Sequence, residues 1–305
     1  MNKDIIYSFI IPHKNCPVLL QRCVDSIPER DDIEIIIVDN NSSAEVVDFN
    51  HFPGCERKCV KVVRDTKSIG GGGARNTGLQ KASGKWVSFI DCDDYFNYCI
   101  GKILDDYKNS PESVVFFKTN SVDSDTYVSS NRGISINNAI DSFIQGKNEG
   151  ENYLRFGLFN PWGKIIRRSF LIDNHIQFDD VIVMNDVVFS YKLGYFATQI
   201  AVDKRAMICI TDCSHSVSKN HSAEAYLSRI RTKTLASMFY KKHGIPQKYL
   251  KWNNYLFLSK FISAYPARWK EGIDVLLKNG ESWFDIILGL FFHVPLLRLK
   301  SVLKK

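Results

Sequence analysis

Apolar positions along this chain fall into two patterns, short saturated runs and longer stretches of helical spacing. Residues 7–12 (YSFIIP) and 33–39 (IEIIIVD) are rich in β-branched and apolar side chains and end in turn formers, the pattern of strands buried on both faces. Between them, residues 18–26 (VLLQRCVDS) repeat apolar side chains at the spacing of one helix face. A third run at 60–63 and a fourth at 85–90 (KWVSFI) flank a short helix expected over 74–82. Strand, helix, strand, strand, helix, strand predicts a parallel α/β sheet with ligands at the carboxyl ends of its strands. Polar residues crowd those ends: His13 and Asn15 after the first run, Asp39, Asn40 and Asn41 after the second, and Asp91, Asp93 and Asp94 after the fourth. A parallel sheet brings them to one crevice.

Past residue 110 the periodicity weakens. Residues 114–117 read as a further strand, 121–133 as a polar loop or hairpin, and helices are expected over 137–145, 186–195, 223–243 and 247–265. The expected division is an α/β domain over 1–221 and a helical region over 222–305. Charge follows a similar line. From Arg229 onward there are 15 Lys and Arg against 4 Asp and Glu, leaving 25 basic and 29 acidic residues before that point. The basic excess thus lies in the carboxyl-terminal part and suits an anionic partner. Eight cysteines form no CxxC pair and no Cys/His array of zinc-finger spacing, and the opening residues show no secretory pattern. The expectation is of reduced thiols in a cytoplasm.

The glycine run IGGGGARNTG at 69–78 raises the question of phosphate binding. A GxGxxG fingerprint begun at Gly70 or Gly71 would need glycine at Arg75 or Asn76, and a GxxxxGK[ST] loop ending at Gly78 is followed by Leu79 and Gln80. Neither nucleotide motif is present. The run also follows the third strand, whereas a dinucleotide fold has its glycines after the first. In FIDCDDYF, residues 89–96, three carboxylates follow an apolar strand. Their repulsion is relieved by a solvated turn or by a cation, and hard divalent ions take one or two carboxylates plus substrate phosphates.

These stretches have company. FIIPHKN (9–15), IIIVDNNSS (35–43), GGGGARNTGL (70–79) with GKW (84–86), and FIDCDD (89–94) occur in the order and spacing of the family 2 inverting glycosyltransferases. NPWGKIIRRSFL (160–171) and FDDVIVMNDVVF (178–189) are similar to that family's acceptor-side segments, so the chain resembles the family over roughly residues 5–220. The resemblance implies the GT-A fold, an α/β, Rossmann-like, mostly parallel nucleotide-sugar-binding sheet, here with a helical carboxyl-terminal appendage. It implies a cytoplasmic enzyme moving a sugar from a nucleotide-sugar, a UDP-sugar by preference, to a saccharide or lipid-linked saccharide in bacterial surface polysaccharide synthesis. Mn²⁺ or Mg²⁺ is the implied cofactor, and nucleic acid is not among the implied partners.

By the same resemblance, Pro12, His13, Asn15 and Asp39 hold the nucleoside, with the Asp39 carboxylate accepting from a uracil N3–H. Gly70, Arg75, Asp91 and Cys92 border the donor, Asp91 meeting ribose or Arg75. Asp93 and Asp94 ligate the metal, joined by a late His215, and the metal offsets the charge of the departing nucleoside diphosphate. The base that takes the acceptor proton is the Asp of a Glu-Asp pair in this family, matched here by Asn185-Asp186 with an amide in place of Glu. Trp162 and Lys164 match acceptor-side positions, the first for stacking on a sugar face, the second for meeting a phosphate. Plainer roles stay open: Asp39 as a turn residue, Asp186 as a helix cap with Asp179 or Asp180 as base, Trp162 as core, His215 as a structural histidine. Two other functions stay open as well, a nucleotidyltransferase that releases pyrophosphate and a nucleotide-sugar-binding module without catalysis.

Residues 283–305 (WFDIILGLFFHVPLLRLKSVLKK) are apolar but interrupted by Asp285, His293, Pro295 and Arg298, too broken for a membrane span. Ile286, Ile287, Leu290, Phe291 and Val294 share a helical face, followed by Arg298, Lys300, Lys304 and Lys305. An interfacial helix on the anionic inner face of the cell membrane satisfies this pattern, and so does a helix docked on its own domain or on a second subunit.

Overall fold

The computed structural model describes residues 4–212, 220–246 and 254–295. Its first elements are β1 (Tyr7–His13), α1 (Pro17–Asp25), β2 (Ile33–Asp39), β3 (Val60–Arg64), α2 (Gly71–Lys81) and β4 (Trp86–Phe89). β1 pairs in parallel with β2 on one side and β4 on the other, and β3 extends the sheet beyond β2. Register places His13 opposite Asp39 and Asp39 opposite Arg64, so three strand ends finish at one level. Side chains alternate between two layers. Phe9, Ile11, Ile35 and Ile37 pack with Leu20 and Val24 of α1, while Ile10, Ile36 and Val38 pack with Ala74 and Leu79 of α2. Saturated apolar runs are what such doubly covered strands need.

The chain continues through β5 (Tyr95–Phe96), α3 (Ile100–Tyr107), β6 (Val114–Asp123), α4 (Ile134–Ile144), α5 (Asn148–Phe156), β7 (Lys164–Arg167), α6 (Arg168–Asp173), α7 (Asp186–Phe196) and β8 (Ile200–Asp212). Among the described residues these complete an 8-stranded sheet in the order β3-β2-β1-β4-β7-β6-β8-β5. β7 lies antiparallel to both β4 and β6, β6 and β8 run parallel, and β5 returns antiparallel on β8. The sheet is therefore parallel over the strands the sequence marks most clearly and mixed beyond them. β6 runs through Asp123 rather than stopping at Phe117, and a bridge from Val122 to Ser129 makes the start of 121–133 a short hairpin.

Among the described residues four α-helices follow: α8 (Ala223–Lys242), α9 (Asn254–Ala264), α10 (Trp269–Lys278) and α11 (Trp283–Leu288), the last running into a π turn over Gly289–His293. Ser222 starts α8 by accepting the Ala225 amide. These helices gather Ile230, Leu258, Phe261, Leu276 and Ile286 into a core of their own. They also join the sheet body, where Ala236, Tyr240 and Ile245 pack on Val187, Val188 and Tyr191 of α7. The apolar face expected over 286–294 is split. Ile286 and Val294 are buried and Leu290 leans on that helical core, whereas Ile287 and Phe291 are exposed; the π turn, with its wider i→i+5 spacing, changes which side chains face inward. Among the described residues no helix is long and apolar enough to cross a membrane. The part of the expected 247–265 helix before Asn254 lies outside the described residues, as do Arg298, Lys300, Lys304 and Lys305.

Candidate active site

The ends of β1 and β2 form a hydrogen-bonded shelf. The buried His13 ring places Nδ1 3.3 Å from the Asp39 carboxylate, while its Nε2 accepts the Cys16 amide at 3.2 Å. That assigns the ring proton to Nδ1, which donates to Asp39. The other Asp39 oxygen lies 3.4 Å from the Ser42 amide. Asn15 adopts a left-handed backbone with φ of 55° and ties the two loops together. Its amide donates to Ser42 Oγ at 2.9 Å, and its side-chain oxygen accepts the Ser43 amide at 2.8 Å. Asn40 reaches the loop after β3, donating to the carbonyls of Asp65 and Ser68. Pro12 is half-buried in β1 beside His13.

After β4 the chain makes a turn closed by the Asp94 amide on the Asp91 carbonyl at 3.0 Å. The carboxylate oxygens of Asp91, Asp93 and Asp94 lie within 4.8 Å of one another. Thr211 of β8 braces the turn, its hydroxyl donating to the Asp93 carbonyl at 2.9 Å and its amide to the Asp94 carboxylate at 2.8 Å. Arg22 of α1 also donates to the Asp93 carbonyl. Burial first, and then the neighbouring carboxylates, pushes Asp93 up to about 6 and Asp94 well above the usual carboxylate range. A compact set of hard oxygen donors that resist ionising together fits a hard divalent cation. Asp94 is the buried member, already bonded to Thr211, which leaves Asp91 and Asp93 the more open ones.

The glycine run does something other than cradle phosphate. α2 starts at Gly71 rather than at 74, so the glycines form its first turn. A Cβ on Gly72 would stand 2.2 Å from the Asp179 carbonyl, and one on Gly73 would stand 2.3 Å from Ser68 Cβ and 2.6 Å from the Asp180 carboxylate. Gly70, at the helix entry, lies under the Val181 carbonyl. The absent side chains thus let the 179–185 segment lie directly on the helix. Asn76 pins the same segment, donating to the Phe178 carbonyl and accepting the Phe178 amide, each at 2.9 Å. Arg75, 6% exposed, donates to the Asp91 carboxylate and, at 3.0 Å, to Asn185 Oδ1. Its guanidinium also lies 5.3 Å from the centre of the Phe178 ring.

Asp186 is the first residue of α7, and Asn185 precedes it without capping the helix through its side chain. The Asn185 amide oxygen faces Arg75 instead. Burial pushes Asp186 up to about 6, with Arg75 pulling the other way. Lys164 is 0% exposed; its Nζ donates to the Asn160 carbonyl at 2.7 Å and sits 5.2 Å from the centre of the Phe116 ring. Burial draws it down to about 7, opposed by Asp186. The expectation that Lys164 meets an acceptor phosphate is corrected: the ammonium is sealed inside the sheet body. Trp162 likewise packs in the core with Phe117 and Ile165 rather than standing open for a sugar. His215 lies outside the described residues.

Three neighbours of the site escape sequence reasoning. Arg22 looks like an ordinary polar position of an amphipathic helix, and Thr211 ends a strand that was not expected. Cys16 is a single cysteine until the fold brings its sulfur to 2.8 Å from that of Cys92. There, a hydrogen bond from Cys92 draws the Cys16 thiol down to about 5, while Cys92 is pushed up.

Comparison with known proteins places the chain in a family. The profile of glycosyl transferase family 2 matches residues 8–184, more than half of the chain. The amylovoran biosynthesis glycosyltransferase AmsB of Erwinia amylovora is 33% identical over 99 residues, 30% of this chain and 32% of that protein. The GalNAc(5)-diNAcBac-PP-undecaprenol beta-1,3-glucosyltransferase of Campylobacter jejuni is 34% identical over 90 residues, 28% of this chain and 29% of that protein. The match therefore spans about a third of the length of these two relatives. Among solved structures, S. aureus TarS 1-349 in complex with UDP-GlcNAc is similar with a TM-score of 0.57 and 19% identity, over 90% of this chain and 89% of that one. The mannosyltransferase PcManGT from Pyrobaculum calidifontis, in complex with GDP-Man and Mn²⁺, gives 0.53 and 16% over 97% and 83%. At such identities these likenesses speak for the fold, and the profile speaks for the lineage: the chain belongs to glycosyltransferase family 2 and has the GT-A fold.

Proposed function

We propose that the protein is a divalent-metal-dependent, inverting hexosyltransferase. It moves a sugar from a UDP-sugar to a hydroxyl of a saccharide or lipid-linked saccharide, in the synthesis of a bacterial surface polysaccharide or glycoconjugate. The observation that carries this reading is the double contact of Arg75. One guanidinium joins the carboxylate turn at Asp91 to Asn185, the residue beside Asp186. The candidate cation site is thus hydrogen-bonded, through Arg75, to the residue that precedes the candidate base. The TarS structures in complex with UDP and UDP-GlcNAc support a uridine donor, and the undecaprenol in the Campylobacter relative's name supports a lipid-linked acceptor.

Each side chain then has a task. Asp39, oriented by His13, accepts from the base of the nucleotide. Asp91 and Asp93 would hold Mn²⁺ or Mg²⁺, with Asp94 anchoring their turn to Thr211. When bound, the cation supplies Lewis-acid charge toward the diphosphate oxygens. Asp186 takes the acceptor proton, and Arg75 favours its ionised form. This machinery lies within the unit 1–221, while in the unit 222–305 the exposed side chains around α11 face an anionic membrane surface.

A thermal-shift panel of nucleotide-sugars, with and without Mn²⁺ or Mg²⁺, tests the reading. UDP-sugars are expected to stabilise the protein, more strongly with the cation, and the favoured donor is expected to release UDP and give a product of inverted anomeric configuration. If no nucleotide-sugar raises the melting temperature in either condition, the reading fails. Release of pyrophosphate from a nucleoside triphosphate would replace it with nucleotidyl transfer.

A further inference from the structure

Cys92 borders the donor only by resemblance and Cys16 has no task in the proposed transfer, yet their sulfurs stand 2.8 Å apart. Heavy atoms in ordinary contact lie about 3.5–4.0 Å apart, and a disulfide closes at about 2.05 Å. The two residues come from different elements. Cys16 ends the loop after β1, and Cys92 sits in the turn after the adjacent parallel strand β4. Both are only partly buried and carry free thiols. We propose that Cys16 and Cys92 are a dithiol site that reacts with small-molecule disulfides, and that the Cys16–Cys92 bond so formed ties the two loops together and lowers donor binding.

The electron count closes with such a disulfide, RSSR, as oxidant. The Cys16 sulfur, as thiolate, attacks one sulfur of RSSR; the RS–SR bond breaks and one RS⁻ leaves, taking up a proton. Cys92 then loses its proton and attacks the Cys16 sulfur of the mixed disulfide, expelling the second RS⁻. Two cysteine thiols are oxidised by two electrons in all, and one RSSR is reduced to two RSH.

The effect on the donor rests on the function proposed above. His13 and Asn15 lie just before Cys16, and Asp91 and Asp93 flank Cys92. A covalent tie at this point joins the nucleoside shelf to the carboxylate turn and removes the freedom of either loop to adjust as a donor enters between them. The tie also encloses a long stretch of chain, which restricts the unfolded state.

The protein, incubated with oxidised glutathione and digested without reductant, is expected to yield a Cys16–Cys92 cross-linked peptide two hydrogens lighter than its parts. It should melt at a higher temperature than the reduced protein and release UDP from its donor at least tenfold more slowly, with dithiothreitol restoring the rate. Cys16→Ser should keep its rate in the presence of oxidised glutathione, and Cys55→Ser, altering an exposed cysteine, should still form the cross-link. Absence of the cross-linked peptide, with glutathione found instead on separate cysteines, overturns the site. A complete cross-link with an unchanged rate overturns its effect on the donor. Absence of turnover in the reduced protein counts against the proposed function, and the peptide then decides the disulfide by itself.

Discussion

Asp186 and Arg75 show how the proposed chemistry depends on single charges. Burial raises the Asp186 carboxyl to about 6 although Arg75 opposes it, so water exclusion outweighs the cation nearby. A general base works ionised, and its value is raised rather than depressed; activity should therefore be low below pH 6, climb as the proton leaves, and level off above. The pH profile of kcat/KM is expected to show one rising limb near 6. Asp186→Asn should lower kcat by ~10²–10⁴, the usual reach of general-base catalysis, while a UDP-induced thermal shift survives. Loss of that shift would make Asp186 a donor contact instead. The carboxylate turn supports a second expectation. Chelation with EDTA should abolish transfer and Mn²⁺ should restore it, whereas Asp93→Asn should raise the Mn²⁺ concentration needed by at least tenfold. Equal activity with and without EDTA would remove the cation from the mechanism.

The element whose meaning changed most is α2. Its glycines suggest phosphate from the sequence, but the residues they accommodate come from the chain itself, 179–185 lying against Gly72 and Gly73. A contact between segments more than a hundred residues apart leaves no local trace, which is why the spacing of the glycines could be checked against nucleotide motifs and their real neighbour could not be read. β1 and β2 were legible because double burial saturates them with apolar side chains. β8 was not, since its first half carries Asp203, Lys204 and Arg205 along a half-exposed stretch before the buried Met207–Ile210. The same physics distinguishes two glycine-to-alanine changes. At Gly72 the new methyl would meet backbone at 2.2 Å, and at Gly101, inside α3, it would meet nothing within 4 Å. Gly72→Ala is expected to destabilise by ~1–3 kcal/mol through overpacking and to disturb Arg75 three residues on. Gly101→Ala is expected to stabilise by ~0.5–1 kcal/mol through helix propensity. Urea unfolding of the two variants measures both, and equal midpoints would contradict the close approach at Gly72.

On the scale of the whole molecule, the convergence of the parallel strands' carboxyl ends follows from the first hundred residues, whereas the placing of β6, β7 and β8 in the sheet and the docking of α8 on α7 need the fold. Among the described residues, the carboxyl-terminal helices leave a surface that their packing does not cover. Trp283, Phe284, Ile287, Phe291 and Phe292 are exposed around α11 and the π turn, Phe284 at 70% and Phe291 at 72%, while Ile286 and Val294 hold the segment to the body. Large aromatics clustered in water mark an interaction surface, and the sequence that follows supplies Arg298, Lys300, Lys304 and Lys305. Apolar side chains followed in sequence by basic residues match an anionic bilayer, where each cation near the surface adds about 1 kcal/mol. Each Phe side chain removed from water adds roughly 1.5–3 kcal/mol. Co-sedimentation with phosphatidylglycerol vesicles is therefore expected to exceed that with neutral phosphatidylcholine vesicles and to weaken with salt. Phe284→Glu with Phe291→Glu should reduce that binding at least tenfold and leave transfer to a water-soluble acceptor unchanged, because both residues lie outside the carboxylate turn and the Asp186 helix. Equal sedimentation of the variant and the parent would remove the aromatics from membrane contact, and a concentration-dependent dimer abolished by the same changes would assign the surface to a second copy of the chain.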